Sequence, residues 1–230
     1  MSSLSLQLAQ GLEQQGLDID SSAQYKLLQF IELLDKWNKV YNLTSIRNKS
    51  QMITLHLLDS LIVLPYFAVS QVEQKKSLRV LDVGTGGGIP GIPLAICLPR
   101  TEFVLLDARI KKIHFIQTVI SKLGLTNITA VHARVEQYQD TEGFDRIISR
   151  AFASISEMLN LSQHLCRTDG KFLAMKGQIP KEEIAQLPEG YTIASIDELK
   201  VSGLDAQRHL IQINSARSSK DVHKLNTLST

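Results

Sequence analysis

Asp82-Val-Gly84-Thr-Gly86-Gly-Gly88 is the stretch on which the reading of this chain turns. A short apolar run at 78–83 leads into it, and a helical segment opening near Pro90 follows. Strand, glycine turn and helix in that order make a nucleotide pocket. Glycines allow the turn and let backbone N–H groups approach a ligand without a Cβ in the way. Pro90 suits a first helical turn, where its missing N–H costs nothing. At the end of the next apolar run, Phe103-Val-Leu-Leu-Asp107, an acidic side chain can accept both ribose hydroxyl protons of an adenosine moiety.

The loop alone admits two cofactors. Gly86-Gly-Gly88-Ile-Pro-Gly91 also satisfies the G-x-G-x-x-G dinucleotide fingerprint, with Asp107 at a suitable distance downstream. Three features favour S-adenosylmethionine over a nicotinamide. Asp82 two residues before Gly84 gives D-x-G-x-G-x-G, which resembles the first motif of class I methyltransferases. That carboxylate can hold a methionine ammonium, a group that nicotinamide cofactors lack. No Tyr-x-x-x-Lys or Asp–His proton relay follows. The bland alternative is a tight turn with no ligand.

Outward from the loop, apolar runs at 78–83, 102–107, 127–132, 144–149 and 171–175 have strand length and lack strict alternation. Such runs suit strands covered on both faces of a parallel sheet. Helical segments fill the gaps at 90–98, 110–123, 155–165 and 181–186, so the order predicts a doubly wound α/β domain. Runs at 191–200 and 207–213 have no long helix between them and predict a C-terminal antiparallel hairpin. Ahead of the sheet the chain reads as helices. Ser21 or Ser22 is the expected cap of a segment carrying Leu27, Leu28, Ile31, Leu34, Trp37 and Tyr41 at helical spacing. A second segment, 52–64, is expected to stop at Pro65. The expected organisation is a helical extension over 1–70, a cofactor-binding domain over 71–213 and a flexible tail over 214–230.

Composition narrows the class. The 230 residues are 43% hydrophobic, enough for a full core. No apolar run reaches membrane-spanning length, and Met1-Ser-Ser-Leu-Ser lacks a basic signal-like start, so a cytoplasmic protein without membrane contact is expected. Cys97 and Cys166 lie far apart, each in a stretch read as apolar helix, which suggests buried thiols rather than a disulfide or a metal pair. No metal is expected. With 25 basic and 23 acidic residues, net charge leaves the partner open. A monomer is the default.

Several stretches read together resemble one family. They are Lys36-Trp-Asn-Lys-Val-Tyr-Asn-Leu-Thr-Ser45, His56-Leu-Leu-Asp59-Ser60, the loop with its Ile-Pro-Gly-Ile-Pro93 continuation, Ser149-Arg-Ala-Phe-Ala153, Lys176-Gly-Gln178 and Arg208-His-Leu210. The chain resembles the bacterial 16S ribosomal RNA guanine-N7 methyltransferases over residues from about 20 to about 213. That resemblance implies a class I (Rossmann-like) methyltransferase fold. It also implies methyl transfer from S-adenosylmethionine to N7 of a guanine in 16S ribosomal RNA, as free RNA or within the small ribosomal subunit. Family cofactor contacts fall on Gly84, Ile89, Val135, Glu136 and Arg150; motif logic adds Asp82, Gly86 and Asp107. The chain departs from many relatives at Ala108-Arg-Ile-Lys-Lys112, where a serine and a glycine are common.

Guanine N7 has a lone pair and no proton, so no general base is needed and no catalytic acid or base is assigned. His56 and Asp59, three apart on a helix face, read better as a structural or lid pair. Arg150, after the fourth strand, can present N–H donors to guanine O6 or phosphate; its bland reading is a salt bridge to Glu136 or Asp145. Lys111, Arg134, Lys176 and Arg208 are the candidate RNA contacts, with Arg109 and Lys112 beside them in a cationic rim. The competing functions are a methyltransferase acting on a small molecule or protein, and a nonenzymatic RNA-binding assembly factor.

Overall fold

In the computed structural model, the residues described are 3–67, 77–150, 152 and 154–215. The expected domain boundary at 70/71 and the tail beyond 215 lie outside them.

A seven-stranded sheet forms the centre, in the order β3-β2-β1-β4-β5-β7-β6. β1 (Arg79–Val83), β2 (Glu102–Asp107), β3 (Ile128–His132), β4 (Phe144–Ser149) and β5 (Cys166–Lys176) pair in parallel. β7 (His209–Ser215) runs antiparallel between β5 and β6 (Tyr191–Glu198), the expected C-terminal hairpin. The order reverses between β1 and β4. At such a switch point, diverging crossovers open a crevice at the carboxyl ends of the strands.

The sequence pattern explains the layers. Val80, Phe103 and Leu105 feed one face of the sheet, while Leu81, Val83, Val104 and Leu106 feed the other. Both faces are buried, which is why these runs show no polar alternation. β6 sits at the edge and alternates half-buried with exposed residues throughout. The helices α1 (Ser3–Gln14) and α2 (Ser21–Tyr41) share one apolar core with α5 (Gly91–Cys97), α6 (Ile110–Leu123) and the sheet. Phe30 of α2 and Phe115 of α6 meet with ring centroids 6.2 Å apart in that core. α7 (Ile155–Ser162) packs on the opposite face, and the short α8 (Lys181–Ala185) precedes the hairpin.

Several local expectations are corrected. α2 is capped by Asp20, whose carboxylate accepts from Ala23 N at 2.9 Å, not by Ser21 or Ser22. The second helical segment is not one regular helix. α3 (Lys49–Met52) widens into a π turn at Ile53–Leu58 and resumes as α4 (Asp59–Leu61), with Pro65 inside a separate 3-10 turn. Cys166 opens strand β5 rather than lying in a helix, and Cys97 ends α5; no disulfide joins them. β5 starts five residues earlier than 171, with a register irregularity against β4 between Phe144 and Arg146. No helix among the described residues is long and apolar enough to cross a membrane.

Candidate active site

Two cavities open at the carboxyl ends of the strands. The first, about 460 Å³, is lined by Val83 and Gly84 at the end of β1, Asp107 to Arg109 at the end of β2, Ala133 to Glu136 after β3, and Phe152 after β4. Gly84 has φ +68°, a left-handed conformation that costs an L side chain roughly 1–2 kcal/mol. A Cβ placed there would meet nothing within 4 Å, so the bare backbone faces an open cradle. Gly91 serves close packing instead: a Cβ there would sit 2.7 Å from Asp82 Oδ2 and 2.9 Å from Leu105 Cγ.

The two loop carboxylates have different work. Asp82 is fully buried beneath the loop. Its Oδ2 accepts from Thr85 Oγ1 at 2.6 Å and from Gly91 N at 2.9 Å, tying the turn to the helix that follows. Its Oδ1 has no hydrogen-bond partner among the described residues, and burial pushes the carboxyl up to about 6 against the bonds from Thr85 and Gly91. Asp107 lies at the cavity wall. It accepts from Gly86 N and Arg109 N, both at 2.9 Å, with Lys112 Nζ at 3.6 Å. Each carboxylate oxygen keeps a lone pair for a further donor.

The second cavity, about 440 Å³, lies on the other side of the segment after β4. Arg150 lines this one and Phe152 the first, so that two-residue step divides them. Its walls come from the connector Thr44 to Ile46, from Leu55, His56 and Asp59 of the π turn and α4, from Met175 to Gly177, and from Arg208 and His209. Asp59, almost wholly buried, accepts from Arg150 Nη1 at 2.9 Å and from Arg208 Nε at 2.7 Å. Arg150 also donates to Leu55 O at 2.8 Å. The π turn sets this up by placing the Leu55 carbonyl, His56 and Asp59 on one side.

His56 is buried, with Nε2 2.9 Å from Thr44 Oγ1 and Nδ1 3.4 Å from Arg150 Nη2. Burial, with the Arg150 charge second, pushes its pKa down to about 4. At neutral pH it is an uncharged hydrogen-bonding group and a weak base.

The site residues expected from sequence fall into three sets. Gly84, Asp107, Val135, Glu136 and Arg134 line the first cavity. Asp82 and Ile89 are buried below the loop and line neither cavity, and Gly86 reaches the site through its N–H on Asp107. Arg150, Lys176 and Arg208 line the second cavity. The alternative partners considered for Arg150, Glu136 and Asp145, are not its partners: Asp59 is. Arg208 shares that carboxylate, and Lys176 pairs with Glu183 at 3.1 Å. Lys111 lines neither cavity and stands over the Tyr41 ring. Sequence reasoning missed Thr85 as the clamp on Asp82, Phe152 as a wall, and the sharing of Asp59 by two arginines. The stretches holding Asp59, Arg150 and Arg208 were all singled out; their pairing across 91 and 149 residues was not.

With this geometry in place, the comparisons with known proteins are specific. The profile of GidB, rRNA small subunit methyltransferase G, matches residues 23–211. A "Ribosomal RNA small subunit methyltransferase G" of Shewanella amazonensis is 50% identical over 210 residues, covering 91% of this chain and 98% of that one. Its namesake in Idiomarina loihiensis is 49% identical, over 88% and 95%. Among solved structures, a SAM-dependent methyltransferase of Aquifex aeolicus superposes with TM-score 0.55 at 17% identity, over 81% of this chain and 97% of that one. TrmN of Thermus thermophilus gives 0.52 at 15%, over 71% and 53%. The structural likenesses establish the class I methyltransferase fold.

Proposed function

The chain belongs to the rRNA small subunit methyltransferase G family, and on that premise we propose that it methylates N7 of a guanine in 16S ribosomal RNA. Membership gives the coarser statement directly: the chain is an S-adenosylmethionine-dependent methyltransferase acting on small-subunit ribosomal RNA. The observation that carries the finer reading is the pair of cavities lined by Phe152 and by Arg150 after the same strand, one suited to a nucleoside cofactor and one lined with guanidinium groups.

The first cavity fits the cofactor by its donor set. The open backbone at Gly84 leaves room for the methionine end, and Asp107 at the end of β2 stands where ribose hydroxyls need an acceptor. Val135 would pack against the adenine, with Glu136 at the rim. Asp82 acts through the loop, holding Thr85 and Gly91; Ile89 supports it from below. Bound there, S-adenosylmethionine supplies an electrophilic methyl group on a positively charged sulfur.

The second cavity receives the acceptor base. Arg150 and Arg208 each spend a donor on Asp59 and keep others for guanine O6 or phosphate. Guanine N7 needs no deprotonation, and the neutral, weakly basic His56 is consistent with a reaction driven by positioning. Arg134 and Lys176 serve as phosphate contacts, Lys111 farther out. The helices within residues 3–67 serve as an extension to the transfer domain built on the sheet, in a monomeric cytoplasmic enzyme.

Incubating purified protein with methyl-labelled cofactor and three acceptors tests this: small-subunit ribosomal RNA, small subunits, and a mixture of small amines and proteins. Label is expected only in the RNA-containing acceptors. Label confined to a protein or an amine would replace this reading with the alternative one.

A further inference from the structure

Outside both cavities, the carboxyl-terminal turn of α2 meets the first turn of α6 and leaves an aromatic ring partly exposed. Trp37 packs against Phe115 with centroids 5.7 Å apart, and Tyr41 lies over Trp37 at 5.1 Å. Phe115 is fully buried and anchors the stack to the core, but Tyr41 is 43% exposed. Val40 on α2 and Ile110 at the start of α6 are exposed too. Lys111 holds its ammonium 6.0 Å from the centre of the Tyr41 ring. Lys36, Lys39, Arg47 and Arg109 are exposed on the same two elements and the connector after α2. Of these cations Lys39 is offset by Asp35, at 2.9 Å, and that carboxylate also lies 3.9 Å from Lys49.

The location is as telling as the composition. From Tyr41 the chain runs past Leu43, beside Gly87 of the loop, to Thr44 to Ile46 in the wall of the second cavity. On the other side, Arg109 and Lys112, flanking Lys111, line the first cavity. A half-exposed ring on a rigid aromatic stack, with Lys111 beside it, further exposed cations on the same elements and a chain path to both rims, matches how unpaired nucleic acid is held. Each base offers a π face to stack, and the phosphates take the cations.

We propose that Tyr41 is a stacking platform for an unpaired RNA base near the target nucleotide, with Lys111 and Lys36 meeting the adjoining phosphates. This rests on the RNA-substrate reading and extends it to a surface outside the cofactor cleft. It assigns the substrate a single-stranded or looped segment around the modified guanine, since a duplex presents no free base face to the ring.

The chain's single tryptophan is a built-in reporter, because Trp37 lies directly under Tyr41. The full chain is titrated with a fluorescein-labelled single-stranded RNA of about twelve nucleotides, within the span one such surface covers. Affinity is read by anisotropy, Trp37 emission is followed in parallel with unlabelled RNA, and cofactor binding is measured by calorimetry. Tyr41→Leu keeps an apolar contact on Trp37 but removes the π face; it should weaken RNA binding roughly 5- to 100-fold. Tyr41→Phe should stay within about twofold of the parent, since the stacking face is kept. Lys111→Gln should reduce the salt slope by about one. Cofactor affinity should be unchanged in all three. RNA affinity unaltered in Tyr41→Leu, or Trp37 emission indifferent to saturating RNA, overturns the platform alone. A parent chain that binds neither this RNA nor small-subunit RNA overturns the substrate reading, and the platform with it.

Discussion

The two cavities at the sheet edge are built by opposite means. The cofactor cleft is mostly backbone and strand ends, held by local bonds such as Thr85 to Asp82 and Gly86 to Asp107. The second cavity is mostly side chains, drawn from segments up to 149 residues apart and closed around the Asp59 carboxylate. Backbone sites are set by conformation and tolerate little change in shape. Side-chain sites are set by charge balance and so answer to pH and to loss of a partner. Substitutions in one cavity should therefore leave the other's ligand almost untouched.

The largest effect is expected from Asp59→Ala. It strands two guanidinium groups that are each about one quarter exposed, and breaking such a pair costs about 3 kcal/mol. Spread into the geometry of the acceptor, that loss lowers methyl transfer on the order of 100-fold. Cofactor affinity by calorimetry should hold within about threefold, because none of the lost contacts lies in the first cavity.

Next comes pH. His56 falls from 6.5 to about 4 on folding. As pH drops through that window the unfolded chain takes up a proton that the folded imidazole refuses, so this part of the stability is complete above 6.5 and lost toward 4. The linkage is worth about 2 kcal/mol at pH 5. Asp82 works the other way. Its carboxyl, raised from 3.8 to about 6, keeps a proton that the unfolded chain has released, so its contribution is greatest at low pH and falls as pH rises through that range. The two oppose each other, and the parent's acid limb is flattened as a result. His56→Gln should remove one side of that balance. Denaturation midpoints between pH 4 and 7 are then expected to rise as pH falls, relative to the parent. Parallel curves would contradict a buried neutral His56.

A smaller effect is expected at Gly84→Ala. The positive φ costs about 1 kcal/mol, and the new methyl enters the open cradle. Cofactor binding should weaken by about tenfold while RNA affinity stays level. The smallest belongs to Arg134→Ala, at an exposed rim position: a slightly shallower salt dependence of RNA binding and little else.

The same contrast explains what the sequence could and could not reveal. Asp82, the glycines and Asp107 declare themselves because the cleft is local: strand, turn and helix follow one another, and hydrophobic runs mark each strand. The parallel sheet is legible for the same reason, since strands buried on both faces cannot alternate. The second cavity's residues stood out only in pieces. The spacing of His56 and Asp59 put them on one helix face, but nothing in a linear chain says that Asp59 serves both Arg150 and Arg208, or that the turn at Ile53–Leu58 is a π turn. Asp82 itself was visible, but its work was not: burial below the loop makes it a clamp on Thr85 and Gly91.

The most direct measurement is nucleoside mapping of small-subunit ribosomal RNA from cells with and without this gene. The expected result is one 7-methylguanosine that disappears with the gene and returns when purified protein and S-adenosylmethionine are added to the undermethylated RNA or subunits. Identical methylation in both strains, or a methyl group restored at any atom other than guanine N7, would contradict it.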